Sequence, residues 1–157
     1  MKRMLLYICL LTAVVVIPVE PMNVGEMIPV QVVALSKENG WTVIETDTGD
    51  RGIGGTAKQA LRNLKDRASG KIYLDTAEYL LLEKGTADAV EELRNELRQA
   101  VQLCEIAKPV DLSQAGKYLK VHGKLPKLKE WKKGAELPVI SRFEESYIFL
   151  KKVENNA

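Results

Sequence analysis

Two segments of the chain carry apolar residues on one helical stripe only, and this constrains the fold more than any other feature. In the first, Ala57, Ala60, Leu61, Leu64 and Ala68 recur at helical spacing while Lys58, Arg62, Lys65 and Arg67 face away. In the second, Ala89, Val90, Leu93, Leu97 and Val101 form the stripe, and Glu91, Glu92, Arg94, Glu96 and Arg98 form the wet face. A one-sided helix has to be covered, and the rest of the chain offers strands as the cover. Residues 28–35 and 41–46 are β-branched and flank Asn39-Gly40, a pair that turns a hairpin cheaply. Residues 137–140 and 147–150 read as a closing hairpin. The expected fold is a single α+β domain. It has a mixed β-sheet with two main helices packed on it, an N-terminal hairpin and a C-terminal hairpin. Val32, Ile44, Leu61, Leu64, Leu93 and Leu97 are expected in one core.

Local signals set the boundaries. Thr56 followed by Gln59 is a capping box that starts the first helix, and Ser69-Gly70 ends it. Residues 71–74 and 79–82 read as strands. Lys84-Gly85 makes a turn, Thr86 caps a second helix reaching about Ala100, and residues 101–106 form a further strand. Two short helices are expected around 112–121 and 127–131, separated by Gly123 and Pro126. The glycine-rich stretch 47–55 reads as a flexible link.

The first residues read as an address. Lys2 and Arg3 precede an apolar run over residues 4–17, the plan of a secretory signal. The run is short of the roughly 20 residues a membrane span needs. Residues 18–24 offer no Ala-x-Ala, so the segment is either cleaved near Gly25 or kept as an N-terminal anchor. Large residues at Leu6-Tyr7-Ile8 argue against lipidation of Cys9. The expected organisation is a leader or anchor over 1–24, the α+β domain over 25–153 and a disordered tail over 154–157. The expected location is extracytoplasmic. Beyond the leader only Cys104 remains, so no internal disulfide is expected there, and its apolar surroundings mark it as a small buried hydrophobe.

Composition narrows the chemistry. One histidine, His122, and two cysteines leave no zinc site of three or four Cys/His ligands and no CxxC pair. A net charge of +2 gives no global pull toward nucleic acid. Asp47-Thr48-Gly49 is the tripeptide with which aspartic proteases present a carboxylate, and Asp75-Thr76-Ala77 looks like a degenerate second copy. The charged Asp50 after it and the polar Glu45-Thr46 before it favour a polar turn. Gly49, Gly52, Gly54 and Gly55 form neither GxGxxG nor a P-loop. The remaining feature is a lysine-rich segment interleaved with aromatics. Lys117, Lys120, Lys124, Lys127, Lys129 and Trp131 are the candidate polyanion or partner surface, set against the plainer reading of a solvated lysine face. No catalytic, cofactor-binding or metal-ligating residue is assigned. Neither nucleic acid nor a small-molecule substrate is expected.

The run from Ala57 to Tyr73, AKQALRNLKDRASGKIY, resembles a passage of the spore germinant-receptor C subunits, the Ger(x)C lipoproteins. Their first domain has a similar helix-to-strand passage after a Gly/Ser-rich loop. The neighbouring elements follow in the same order: a hairpin before it, then a strand, a helix, a strand, short helices and a late strand ending in Tyr147-Ile148-Phe149-Leu150. The chain departs from the family in lacking the lipidated cysteine and the second, larger part, so the likeness is to the first domain alone. The resemblance implies a non-catalytic, extracytoplasmic component of an envelope or spore-membrane assembly, with a protein partner there, and carries over no catalytic residue. Three functions stay open at this point: such a scaffold or interaction domain linked to sporulation or germination, a binder of anionic lipid or cell-wall polymer through residues 117–133, and a small secreted hydrolase using Asp47 or Asp75.

Overall fold

The computed structural model describes residues 27–107, 109–143 and 146–151. The expected leader with Cys9, and the expected tail, lie outside these residues. Nine strands and three helices follow in the order β1 (Met27–Pro29), β2 (Val32–Glu38), β3 (Trp41–Thr46), β4 (Arg51–Gly54), α1 (Ala57–Arg67), β5 (Lys71–Tyr73), β6 (Tyr79–Glu83), α2 (Ala87–Leu93), β7 (Gln102–Ile106), α3 (Leu112–His122), β8 (Val139–Phe143) and β9 (Ser146–Lys151) among the described residues. The fold is α+β. A seven-stranded mixed sheet runs β4-β3-β2-β6-β7-β8-β9, and β1 and β5 form a small parallel pair beside it.

The four middle strands of the large sheet are parallel. Val33 lies opposite Leu80, Leu80 opposite Leu103, and Ile106 opposite Ile140. Both flanks are antiparallel hairpins, β2 with β3 and β8 with β9. Helices cover both faces of the sheet, which explains the continuous apolar runs Val32-Val33-Ala34-Leu35 and Tyr79-Leu80-Leu81-Leu82. Because side chains alternate along a strand, Val33, Leu35, Leu80, Leu82 and Leu103 meet α1 and α2 in one core. Val32, Ala34, Leu81, Cys104 and Ile106 meet Ala115 and Leu119 of α3 in another.

This corrects the expectation of one core. Leu61, Leu64, Leu93, Leu97 and Ile44 do share a core, but Val32 points to the opposite face. The third helix also makes the sheet a middle layer with helices on both sides.

Half of the capping box at α1 forms as read, with Thr56 Oγ1 accepting from Gln59 N–H at 3.2 Å, whereas Gln59 Oε1 accepts from the N–H of Gly55 at 3.1 Å, one residue before the cap. Glu92, assigned to a wet face, reaches across from α2. Its Oε2 accepts from the N–H groups of Ala57 and Lys58 at 2.8 and 3.3 Å. A carboxylate there meets unpaired amides at the positive end of α1. Thr86 caps differently from expectation. Its hydroxyl donates to Glu83 O at 2.7 Å and makes no cap bond to α2.

Three boundaries differ from the sequence reading. The second helix ends at Leu93, although Leu97 and Val101 still enter its core. The expected helix at 127–131 is reduced to a single turn, in which Lys127 O accepts from the N–H groups of Glu130 and Trp131 at 2.9 and 3.0 Å. Pro126 O accepts from Leu103 N–H at 2.9 Å and Leu128 N–H donates to Val101 O at 2.8 Å, so the backbone is spent on the start of β7. The link over 47–55 contains β4, whose Gly52 and Gly54 lie against α1. A Cβ on Gly52 would fall on the carbonyl oxygen of Ala60 and within 2.6 Å of Leu64, and one on Gly54 would meet the backbone of Gln59 and Ala60. These glycines permit close approach of a strand to a helix.

Candidate interaction surface

The lysine segment does not form one plane. Lys117, Lys120, Lys124, Lys127 and Lys129 are all exposed. The chain beneath them crosses the sheet: Leu119 and Leu125 pack in the α3 core, whereas Leu128 and Trp131 pack in the α1/α2 core. Trp131 is 4% exposed and its Nε1–H donates to Ala135 O at 3.4 Å, so it is a core anchor and leaves the candidate surface. Arg94 pins this turn, with Nη1 donating to Leu128 O at 3.1 Å and Nη2 to Trp131 O at 3.3 Å. Lys129 pairs with Glu130 at 3.7 Å and Lys133 with Asp88 at 2.7 Å. The hydrogen bond and charge of Lys133 hold the Asp88 carboxyl below its ordinary range. Lys117, Lys120 and Lys124 are exposed, and so is Val121 of α3, at 76%.

The Asp47 carboxylate, the first of the two that suggested proteolysis, is taken by the backbone. Asp47 Oδ1 and Oδ2 accept from the Gln31 N–H at 3.1 and 3.3 Å, which locks the β3–β4 turn to the start of β2. Thr48 Oγ1 donates to Asp50 Oδ2 at 2.8 Å within the same turn. A cleft of about 400 Å³ lies between this turn and the start of α3, lined by Glu45, Asp47, Asp50, Arg51 and Asp111. Asp111 accepts from Gln114 N–H as the cap of α3, and Arg51 is held by Glu38 and Glu45. The cleft therefore presents carboxylates that already have structural partners. Asp75 sits elsewhere, in a short 3₁₀ turn over Leu74–Thr76. Among the described residues no group of three or more His, Cys, Asp or Glu could hold a metal ion.

Cys104 is fully buried, as expected, with Sγ 3.2 Å from Pro138 O. Burial pushes its thiol up to about 12, so the nucleophilic thiolate is disfavoured. His122 closes α3, its ring 4.7 Å from that of Tyr118.

The two outer strands of the sheet differ sharply. At β4 the Ile53 carbonyl accepts from Asn63 Nδ2 of α1 at 2.6 Å, and Arg51 is paired twice. β9 is the outermost strand on the other side, and no described strand pairs with its outer side. Its backbone phase follows from the hairpin. Phe143 and Ser146 are partners across two intervening residues, so they form a hydrogen-bonded pair. Bonded and non-bonded pairs then alternate: Ser141 with Ile148 is bonded, while Arg142 with Tyr147 and Ile140 with Phe149 are not. The N–H and C=O groups of Tyr147 and Phe149 therefore point outward, away from β8. The register shift lies farther on, between Val139 and Ile140, and leaves 146–149 regular.

Side chains of β9 follow the same alternation. Tyr147 is buried and Phe149 partly buried against the α3 core, with Tyr147 Oη donating to Asp111 O at 3.1 Å. Ile148 faces the other way and is 38% exposed, and Leu150, which lies at the register shift, is 57% exposed. The sequence reading identified the strand but not its position at an edge. The available signal was an apolar strand at the end of the chain order, with charges only at its two ends. No helix among the described residues is long and apolar enough to cross a membrane. Compared with protein-family models, curated proteins and solved structures, the chain matches none.

Proposed function

We propose that the chain is a non-catalytic interaction domain that docks a protein partner along β9. One observation carries this reading: β9 is the outermost strand of the sheet, six residues long, and exposes Ile148 and Leu150. Such an edge is a template for strand addition, in which main-chain bonds give affinity and alternate side chains give selectivity. The leader pattern and the resemblance to germinant-receptor C subunits support an extracytoplasmic place, in an envelope or spore-membrane assembly.

The test uses two exposed isoleucines on outer strands. Ile53 of β4 is 39% exposed, nearly equal to Ile148, so exposure alone does not separate them. A photo-crosslinking residue at position 148 should capture protein in the native cell, and the same residue at 53 should not. Equal capture at both positions, or none at 148, contradicts the reading.

A second reading has its own observation. Lys117, Lys120 and Lys124 are exposed within four residues of the exposed Val121 along the chain, a basic segment with an apolar point suited to an anionic membrane surface. It predicts salt-sensitive binding to anionic vesicles that weakens on Val121→Ser.

A further inference from the structure

A crevice at the carboxyl ends of β6 and β7 lies apart from β9 and does not depend on the docking reading. β6 and β7 are parallel neighbours, yet the chain leaves them toward opposite faces of the sheet. After Glu83 it turns at Gly85 into α2, whose Ala89, Val90 and Leu93 pack in the core shared with α1. After Ile106 it runs into α3, whose Ala115 and Leu119 pack in the other core. Neighbouring parallel strands whose connections part in this way leave a gap outside their carboxyl ends, and in open sheets that gap is where ligands bind. Here the gap holds two cavities. One of about 230 Å³ lies on the α2 side, walled in part by Leu82, Glu105, Trp131 and Leu137. One of about 130 Å³ lies on the α3 side, beside Ile106 and Val110. Glu83, the last residue of β6, lines both.

We infer that the larger cavity binds a small organic ammonium ion, with the Glu105 carboxylate as its charge partner. Glu105 stands on β7, an inner strand between β6 and β8. Alternation along the strand puts it on the same face as Leu103, which packs with α1 and α2. Glu105 is half-buried, and among the described residues no hydrogen bond or ion pair holds its carboxylate. Glu83 differs, because its Oε2 already accepts from Lys37 N–H at 2.8 Å. A carboxylate partly withdrawn from water on an apolar face is costly until a cation meets it.

The walls suit the same ligand. Leu82 and Leu137 offer apolar surface to an alkyl body, and the indole of Trp131 is the aromatic ring best able to attract a cation. An anion would instead face Glu83, Glu105 and Glu136 together. A metal ion is not provided for, since among the described residues no group of three or more His, Cys, Asp or Glu could hold one. The volume of about 230 Å³ lies below the roughly 300–1,000 Å³ of pockets for drug-sized ligands, so the ion is small.

The experiment is an NMR titration of the full chain with n-butylammonium chloride at constant ionic strength, with n-butanol as the neutral control. The amides of Gly85, Glu105 and Gly134 should shift and saturate with the ammonium and stay in place with the alcohol. Glu105→Gln should weaken binding by about tenfold or more, as the loss of a hydrogen bond to a charged group does. Glu78→Gln, an exposed carboxylate just before β6, should leave affinity unchanged. Ala135→Leu fills the cavity from an exposed position on its wall and should abolish binding while circular dichroism stays as in the wild type. This second variant decides the matter if Glu105→Gln does not fold. Shifts that do not saturate, equal shifts with n-butanol, or a folded Glu105→Gln or Ala135→Leu chain that binds like the wild type would overturn the site.

Discussion

The two outer strands of the sheet end it in opposite ways. β4 is closed by its neighbour. Gly52 and Gly54 let α1 lie directly on the strand, Asn63 takes the Ile53 carbonyl, and Arg51 is held between Glu38 and Glu45. β9 keeps Tyr147 and Phe149 pointing outward from β8 and leaves Ile148 and Leu150 exposed. An edge strand is a liability that proteins usually blunt, so the blunted β4 and the exposed apolar side chains of β9 set a structural boundary against a candidate docking strand.

The comparison can be broken most strongly on the closed side. Leu64 of α1 is fully buried under that edge, and Leu64→Ala should cost about 2–5 kcal/mol in urea unfolding. A cost near zero would mean that α1 does not cover the sheet there. Gly52→Ala should cost about 1–3 kcal/mol, because the new methyl meets the Ala60 carbonyl and Leu64, and a neutral result would show that β4 and α1 are not in close contact. Asn63→Ala removes the bond to the Ile53 carbonyl and should cost about 0.5–1.5 kcal/mol. The smallest effect belongs to β9. Ile148→Ser together with Leu150→Ser should change the stability of the dilute protein by no more than about 0.5 kcal/mol per site, since these side chains reach solvent. A large loss on dilution-independent unfolding would place them in the core of a single chain.

The closed side was hard to read in the sequence for a physical reason. Glycine alternating with Arg51 and Ile53 looks like a flexible link, because the signal for a strand is side-chain chemistry and this strand has none on the face it buries. The fold class was legible, because the stripes through Leu61, Leu64, Leu93 and Leu97 needed a sheet. The second core was missed. Val32-Val33-Ala34-Leu35 was read as half a hairpin, whereas an apolar residue at every position marks a strand buried on both faces. Trp131 was grouped with lysines by sequence proximity, but its neighbours in space are the core residues around Leu128 and Leu137. Glu92 and Arg94 were taken as wet-face charges. Their contacts to α1 and to the 128–131 turn join parts of the chain about 35 residues apart, as the separations of 35, 34 and 37 show, and no local pattern encodes them. β9 itself was legible as a strand. That it is an edge depends on sheet order, which the sequence does not state.

The central claim is that β9, the outermost strand beyond β8, is where a partner docks. The most direct measurement is capture by a photo-crosslinking residue at position 148 in the native cell, with the same residue at position 53 as the reference. The account predicts capture at 148 and none at 53, although Ile148 and Ile53 are almost equally exposed. Equal capture at both positions, or none at 148, would contradict it.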